Sequence, residues 1–282
     1  HRFAPLCERM EEMSRADLCR RAAAELVRGA EEAWDGDWYL RGYYDDGSPL
    51  GGRACSACQI DSIAQSWAAL APGADRERAL KGVRAAVARL FWRDSGVVRL
   101  FAPPFDGTGA DPGYIAGYVP GIRENGGQYT HAAVWLALAC LRLGMAGEGY
   151  ALLRALLPGG RDSAVYKAEP YVLCADVYAN PAHVGRGGWS WYTGAAGWFY
   201  RTAVEELLGL RLRAGVLTLD PRLPPDWPGY TAQWRREGAV WHITVRRGDV
   251  PCTYLDGQAV EGGIPLDGWS GSHTIECILP PG

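Results

Sequence analysis

Residues 133–141 read Ala-Val-Trp-Leu-Ala-Leu-Ala-Cys-Leu, a run without a charged side chain. The surrounding pattern predicts a helix from about residue 129 to residue 143, and a helix that is apolar on all sides is buried on all sides. A glycine pair, Gly126 and Gly127, comes before it, and a short turn around Gly144 follows it. The sequence therefore places this helix inside a helical domain.

Other helices are predicted on both sides of this central one. Residues 74–92 and 147–156 carry apolar residues on one face only, which is typical of amphipathic helices. The remaining helical segments are predicted at 14–33, 59–70, 169–178 and 194–208. Buried helices alternate with amphipathic ones, and very short connections alternate with very long ones. Helical hairpins arranged in a ring, with inner helices inside outer ones, would produce both alternations.

The number of hairpins is too small for a complete ring of six, so residues 1–209 are expected to form the C-terminal half of an (α/α)6 barrel. After residue 209 the composition changes. Pro and Gly become more frequent, and residues 240–245 and 273–279 have the alternating side-chain pattern of β-strands. Residues 210–282 are expected to form a small β-sandwich-like unit. The predicted fold class is therefore mainly α with a C-terminal β unit.

Charge and cysteine content exclude several classes of function. The 282 residues have a formal net charge of -3 and an isoelectric point near 6.0, which give no bulk attraction to nucleic acid or to anionic membranes. Of the eight cysteines, only Cys55 and Cys58 form a C-x-x-C pair, and no second pair stands at zinc-finger spacing. The expectation is a reduced, cytoplasmic protein without a metal or other cofactor.

Aromatic residues are unevenly chosen, with 12 Trp and 14 Tyr beside only 5 Phe. Trp and Tyr join an apolar ring to a polar group, which suits stacking on sugar rings and hydrogen bonding to sugar hydroxyls. The same residues can equally fill a core. Composition alone leaves both interpretations open.

Three loops combine charges, aromatics and glycines just before a predicted helix. Loop 1, residues 38–51, reads Trp-Tyr-Leu-Arg-Gly-Tyr-Tyr-Asp-Asp-Gly-Ser-Pro-Leu-Gly and leads to Ile-Asp-Ser-Ile-Ala-Gln-Ser-Trp at 60–67. Loop 2, residues 111–131, ends at 120–131 with Pro-Gly-Ile-Arg-Glu-Asn-Gly-Gly-Gln-Tyr-Thr-His. Loop 3, residues 165–194, ends at 185–194 with Gly-Arg-Gly-Gly-Trp-Ser-Trp-Tyr-Thr-Gly. In a ring of hairpins the long loops gather on one face, where a ligand would bind.

Two of these loops open helices in a way that suits an anion. His131 follows a glycine pair at one helix start, and Thr193 and Gly194 open another. Free N–H groups and the positive end of the helix dipole favour an anion at such a position. Each residue also has a simpler interpretation, since Thr193 can be a plain helix cap and His131 a core histidine. Their joint occurrence after glycine-rich loops favours a phosphate site.

The three loops, in this order, resemble those of glycoside hydrolase family 94, and the likeness covers nearly the whole chain. This family includes cellobiose, chitobiose and oligoglucan phosphorylases and the C-terminal module of cyclic β-1,2-glucan synthases. Residues 60–67 and 123–131 are more similar to the β-1,2-glucan members than to cellobiose phosphorylase. The resemblance implies an (α/α)6 barrel flanked by β domains and an inverting transfer of glucose from a β-glucan to inorganic phosphate.

The resemblance also implies roles for individual residues. His131, Thr193 and Gly194 match the family's phosphate contacts, while Arg123 and Glu124 lie where contacts to the sugar are expected. The predicted substrate contacts from the same loops are completed by Gln128, Tyr129, Glu169 and Trp191. Phosphate is a co-substrate here rather than a cofactor, and the partners implied are a β-linked glucose oligosaccharide, phosphate and, as one oligomeric state, a second copy of the chain.

The family's general acid is the second Asp of an Asp-Trp-Asn-Asp motif, which this sequence does not contain. Its two Asp-Trp pairs, at 37–38 and 226–227, continue with Tyr and Pro. The acid is therefore expected upstream of His1, together with the missing N-terminal half of the enzyme. On this interpretation the chain is a fragment that is inactive alone, and whether it is an enzyme by itself stays open.

Two alternatives to the phosphorylase hypothesis remain. An inverting hydrolase on the same fold would use two carboxylates roughly 6.5–9.5 Å apart, an acid and a base that activates water. A carbohydrate-binding remnant would hold an oligosaccharide without turning it over. The carboxylates in or near the loops are Asp45, Asp46, Asp61, Glu124, Glu169 and Asp176. Of these, Asp46 is expected in a turn and Asp176 on a helix as a structural acid.

Overall fold

The computed structural model describes residues 1–191 and 193–281, apart from the side chain of Thr193. Eight α-helices are present in these residues: α1 Ala4–Arg9, α2 Met13–Glu32, α3 Ser62–Leu70, α4 Arg76–Leu90, α5 Thr130–Arg142, α6 Ala146–Leu156, α7 Ser163–Tyr166 and α8 Thr193–Arg201. Short 3₁₀ helices lie at Gly113–Gly117 and Pro158–Gly160, and a π-helical turn, Thr202–Leu207, continues α8. None of the described helices is long and apolar enough to cross a membrane.

The apolar helix predicted from residues 133–141 is the centre of the helical part. Ten of the 13 residues of α5 are buried. It packs against α3, α6 and α8, and its side chains share one core with those of α4 and α6, among them Val83, Leu136 and Leu152. The two hairpins α3–α4 and α5–α6 have the short connections that the sequence predicted, and long loops separate them.

The predicted helix at 169–178 is wrong. Helix α7 ends earlier, at Tyr166, and Asp176 lies in a two-residue strand. The backbone of this segment is bonded on two sides: Ala175 accepts from the amide of Thr130 and donates to the carbonyl of Trp189, at 2.9 and 2.6 Å. Pairing with two neighbouring segments satisfies the backbone better here than an isolated helix would.

Short strands fasten the long loops to one another. They are β1 Gly42–Tyr43, β2 Pro49–Leu50, β3 Ile60–Asp61, β4 Phe91–Trp92, β5 Val97–Val98, β6 Phe101–Ala102, β7 Gln128–Tyr129 and β8 Asp176–Val177. The pairs β1–β2, β3–β6, β4–β5 and β7–β8 are all antiparallel. Because β3 and β7 each lead directly into a helix, these pairs fix where α3 and α5 begin.

The C-terminal residues form two sheets over one core. The strands are β9 Leu210–Arg213, β10 Val216–Leu219, β11 Gly229–Arg236, β12 Ala239–Arg247, β13 Cys252–Leu255, β14 Gln258–Val260, β15 Ile264–Pro265 and β16 Gly271–Leu279. One sheet has the order β15-β10-β9 and the other β11-β12-β16-β13-β14, in which only β12 and β16 run parallel. Leu217 and Ile264 of the first sheet and Trp241 of the second belong to the same buried cluster.

His273 of β16 contacts the turn between β13 and β14 and the residue before its own strand. His273 Nδ1 lies 2.8 Å from Asp256 Oδ2 and Nε2 lies 3.0 Å from the carbonyl oxygen of Ser270. Both partners are acceptors, so the imidazolium form satisfies both contacts. The hydrogen bond to Asp256, followed by the one to Ser270, raises the pKa of His273.

This contact predicts a pH-dependent stability. A histidine whose pKa is raised by folding stabilises the fold fully below its unfolded pKa of about 6.5, and the contribution disappears as pH rises through the higher folded pKa. We expect urea unfolding of the chain to show a loss of stability from about pH 6 upward, with a smaller loss in Asp256→Asn. Asp249→Asn, an exposed acid in the same sheet region, is the control. An identical pH profile for the wild type and Asp256→Asn would contradict the assignment.

Candidate functional site

Loops 2 and 3 meet through their backbones. Gly121 has φ of +82°, and a Cβ built on it would lie 2.5 Å from the amide nitrogen of Asn180. Its carbonyl accepts from the amide of Ala179 at 2.8 Å, and the side-chain amide of Asn180 donates to Pro120 at 2.9 Å. Only a glycine permits this approach. The contact places the Arg123–Glu124 segment beside loop 3.

Arg123 lies between two aromatic rings. Its guanidinium carbon is 5.4 Å from the ring centroid of Tyr118 and 5.6 Å from that of Trp189, within the range of cation–π contacts. Its Nε is 3.3 Å from Glu124 Oε2. These contacts fix the positions of a guanidinium and a carboxylate at the junction of loops 2 and 3. Such a pair can bond to neighbouring hydroxyls of a sugar.

Asp176 lies beneath this pair. Strand pairing sets it opposite Tyr129. Its Oδ1 accepts from the amide of Trp189 at 3.1 Å, and the carboxyl group also lies near the backbone amide of Arg123. Burial raises the pKa of Asp176, although the Trp189 amide and the charge of Arg123 act in the opposite direction. A Cβ on Gly188 would lie 2.3 Å from Oδ1, so the loop passes directly over the carboxyl group.

His131 is the second residue of α5. Its ring lies 4.5 Å from the ring of Trp135 and 6.1 Å from that of Trp198, between centroids. Its Nε2 is buried and has no hydrogen-bond partner in the part of the chain that the structure describes. Burial lowers the pKa of His131, which favours the neutral imidazole. A neutral imidazole can carry its proton on Nε2 and donate it to an anion.

The start of α8 lies next to this imidazole. A Cβ on Gly194 would lie 3.4 Å from Cε1 and 3.5 Å from Nδ1 of His131. The first turns of α5 and α8 therefore converge, and the free amides of α8 open beside His131. Thr193 is the first residue of α8, but its side chain lies outside the described part of the chain.

Gln128 and Tyr129, two further predicted substrate contacts, differ in burial. Gln128 is buried: its Oε1 accepts from the amide of Val98 at 2.9 Å and its Nε2 donates to Thr130 Oγ1 at 3.3 Å. These bonds favour a structural role that ties loop 2 to β5. Tyr129 is half-buried and lies at the start of α5.

Glu169 and Trp191 form a pair at the outer edge of loop 3. The indole Nε1 of Trp191 donates to Glu169 Oε1 at 2.9 Å. The Trp191 ring is 67% exposed and lies 6.3 Å from the exposed ring of Tyr171. Hydrogen bonds from its own backbone amide and from the Trp191 indole lower the pKa of Glu169. An exposed, hydrogen-bonded tryptophan face is well suited to stacking on a sugar ring.

Loop 1 borders an adjoining cavity of about 450 Å³, lined among others by Tyr44, Phe105 and Asp111. Asp61 at its edge caps α3 through the amides of Ile63 and Ala64. It also pairs with Arg41, whose Nε is 3.3 Å away. Burial raises the pKa of Asp61, against the charge of Arg41. These contacts give Asp61 a structural role.

Two other features of loop 1 are structural. Asp46 closes a turn by accepting from the backbone amide of Ser48 at 2.8 Å, as the sequence predicted. Cys55 and Cys58 are free thiols, and the described residues contain no group of three or more His, Cys, Asp or Glu that could hold a metal ion.

Sequence reasoning missed the residues that position the site. Tyr118 and Trp189 hold Arg123, while Trp135 and Trp198 hold His131. A signal for one was present, since Trp135 lies four residues after His131 and so on the same face of α5. The others come together only through tertiary structure.

Comparison with known proteins gives two family matches. The model of the glycosyl hydrolase 94 superfamily, catalytic domain, matches residues 1–209, and that of the glycosyl hydrolase family 65, C-terminal domain, matches residues 210–261. The cyclic beta-(1,2)-glucan synthase NdvB of Rhizobium meliloti is 47% identical over 251 residues, which are 87% of this chain and 9% of that protein.

Two phosphorylases are more distant but match more of their own length. Solabiose phosphorylase of Paenibacillus borealis is 29% identical over 99% of this chain and 38% of its own length. N,N'-diacetylchitobiose phosphorylase of Vibrio proteolyticus is 30% identical over 91% of this chain and 33% of its own length. The chain thus spans little more than a third of these phosphorylases and about a tenth of the synthase.

Proposed function

Because the chain belongs to the glycosyl hydrolase 94 superfamily, we propose that it carries the phosphate site and part of the sugar site of an inverting β-glucan phosphorylase. The helical residues 1–209 would supply the C-terminal half of an (α/α)6 barrel, and residues 210–282 a β unit beside it. The 47% identity to a cyclic β-(1,2)-glucan synthase supports a β-1,2-linked glucan as the carbohydrate.

The convergence of His131 with the start of α8 carries this proposal. An anion placed there accepts from His131 Nε2, which has no partner among the described residues, and from the free amides around Gly194. The α8 dipole adds to the attraction. Charge-assisted hydrogen bonds of this kind contribute roughly 1.5–3 kcal/mol each. Thr193, at the same helix start, would add its hydroxyl.

The carbohydrate would lie along the junction of loops 2 and 3. Arg123 and Glu124 are fixed there and offer charged partners for hydroxyl groups, and the exposed ring of Trp191 with Glu169 offers a stacking surface farther out. Tyr129, between His131 and Asp176, would line the passage from the phosphate to the sugar. Gln128 supports the loop from below.

In the proposed reaction a phosphate oxygen attacks the anomeric carbon while the glycosidic bond breaks, and the leaving oxygen takes a proton. Phosphate is already an anion, so no base is needed to activate the nucleophile, in contrast to a hydrolase. The proton must come from an acid. Glu124 is paired with Arg123, Glu169 is bonded to Trp191, and Asp176 is 1% exposed. By resemblance to the family, we assign the acid to an Asp-Trp-Asn-Asp motif, which this sequence lacks.

The phosphate assignment predicts a loss of affinity in His131→Ala. We expect the dissociation constant for inorganic phosphate, measured by isothermal titration calorimetry, to rise by about tenfold or more. His242→Ala, an exposed histidine on β12, is the matched control and should leave the affinity unchanged. Equal affinities of His131→Ala and the wild type would refute the site.

The assignment of the acid predicts that this chain alone releases no glucose 1-phosphate from β-1,2-glucan in the presence of phosphate. Product release that depends on phosphate would place the acid within these residues. Release of glucose without phosphate would instead favour the hydrolase, and oligosaccharide binding without phosphate binding would favour the carbohydrate-binding alternative.

A further inference from the structure

A second cleft, of about 730 Å³, lies behind loop 3. Its walls come from the β4–β5 hairpin, the C-terminal end of α6, helix α7 with the preceding turn, and Val184 and Gly185 of loop 3. The same loop continues to Trp189, whose ring lies against Arg123. Its volume is in the range of about 300–1,000 Å³ found for small-molecule sites.

The cleft contains a partly buried cation without a counter-charge. Arg161 Nη2 donates to the carbonyls of Gly96 and Ala155, at 2.9 and 2.7 Å. Its Nε is buried and has no partner in the part of the chain that the structure describes. No carboxylate lies within 4 Å of its guanidinium among the residues that the structure describes. Burial lowers the pKa of Arg161. The two carbonyls orient the guanidinium but carry only partial charges.

Two further arginines, Arg93 and Arg154, line the same cleft, and neither forms an ion pair within the described residues. Asp94 and Asp162 are the acidic residues there, and Asp162 is engaged in capping α7 through the amide of Ala164. Three cations thus face two carboxylates, one of which is already bonded. Buried charges in proteins are normally paired, and guanidinium groups are common partners of phosphate.

We propose that this cleft is a second anion site, separate from His131, that binds the phosphate group of a small molecule. At the base of the cleft, Arg161 donates to the phosphate group from Nη1, because Nη2 is bonded to two carbonyls and Nε is buried. Arg93 and Arg154, which are exposed, donate to it from the rim. The space beyond the phosphate, bordered by Asp94 and Ser95, accepts a hydroxyl-bearing body such as a monosaccharide. The ligand class is inorganic phosphate or a phosphorylated sugar, which share the same chemistry.

The test uses the full chain with His131→Ala, because this substitution removes phosphate binding at the site assigned under the proposed function. Inorganic phosphate and glucose 6-phosphate are titrated separately by calorimetry at physiological ionic strength. We expect His131→Ala to retain one site per chain for at least one of these two probes. Adding Arg93→Gln and Arg154→Gln should weaken it by about tenfold to a hundredfold.

The control removes the same charge elsewhere: Arg76→Gln with Arg235→Gln, two exposed arginines outside the cleft, should leave the affinity unchanged. Thermal unfolding verifies that each variant is folded.

Tighter binding of glucose 6-phosphate identifies a phosphorylated sugar as the ligand, and tighter binding of inorganic phosphate identifies the free ion. No binding of either probe to His131→Ala, or equal affinity after the two rim substitutions, overturns the second site without affecting the proposed function. Unchanged phosphate affinity in His131→Ala relative to wild type, with loss only in the rim variant, overturns the proposed function instead.

Discussion

Substituting Glu206 with Gln should lower the free energy of unfolding by about 3–5 kcal/mol, the range seen when a buried ion pair loses one partner. The Glu206 carboxylate is 5% exposed and lies 2.8 Å from Arg142, 2.8 Å from Arg211 and 2.6 Å from Arg222. Glutamine keeps the shape of the side chain but removes the charge. Three guanidinium groups would then face one another around a neutral amide.

The lowered pKa of Glu206 agrees with the direction of this effect. Burial alone raises it, but the hydrogen bond and charge of Arg142 and the charges of Arg211 and Arg222 outweigh burial and lower it. A carboxyl group with a lowered pKa stabilises the fold above its unfolded pKa, and this contribution is lost as pH falls through the folded value. The difference between Glu206→Gln and wild type should therefore shrink in acid.

The neighbouring Glu205 offers a matched control. It also pairs with two arginines, Arg201 and Arg213, but their side chains are 51% and 62% exposed. Solvent-exposed pairs contribute about 0–1 kcal/mol, so Glu205→Gln should have little effect in urea unfolding. Equal losses in the two variants would contradict the buried network.

The position of Glu206 matters for how the two parts of the chain unfold. It lies in the π-helical turn after α8, and its partners belong to α5, β9 and the segment that follows β10. The network thus connects the last helices to the smaller sheet. Breaking it should make the two parts unfold in separate transitions, visible as non-coincident curves by circular dichroism and tryptophan fluorescence.

The central helices could be predicted from the sequence because the spacing of apolar residues along each segment indicates which faces are buried. Residues 133–141 are apolar on all sides, and α5 is indeed buried. Strand segments 240–245 and 273–279 alternate visibly and lie within β12 and β16. In both cases the side chains of one segment are sufficient to indicate the environment.

Contacts between distant segments could not be predicted in this way. The segment predicted as a helix at 169–178 instead ends in the two-residue strand β8, because β7 and the later part of loop 3 supply its hydrogen-bond partners. Neither partner lies within one helical turn of the segment in sequence. Glu206 binds Arg142 from 64 residues away, which no local pattern reveals. The same holds for the predicted site. The loops that carry Arg123 and His131 could be recognised as sequence motifs, but the aromatic rings that pack against these two side chains could not.

Gly121 joins these loops most directly, and Gly121→Ala should have the second large effect. A left-handed backbone costs a non-glycine residue about 1–2 kcal/mol, and an added carbon in a tightly packed place costs roughly 1–3 kcal/mol more. The new methyl group would lie 2.5 Å from the nitrogen and 2.8 Å from the Cα of Asn180. Because these are backbone atoms, no side-chain rotation relieves the clash. Loop 2 must move away from loop 3.

Gly107→Ala separates the cost of the left-handed backbone from the cost of the clash. Gly107 has φ of +90°, but no described atom lies within 4 Å of the added carbon. It should show only the backbone cost of about 1–2 kcal/mol in urea unfolding. In Gly121→Ala the larger loss should come with a change in the fluorescence of Trp189, as Arg123 leaves its ring, and with weaker oligosaccharide binding. If both variants lose the same stability, the loops do not depend on this contact, and the position of Arg123 must be fixed by Tyr118 and Glu124 alone.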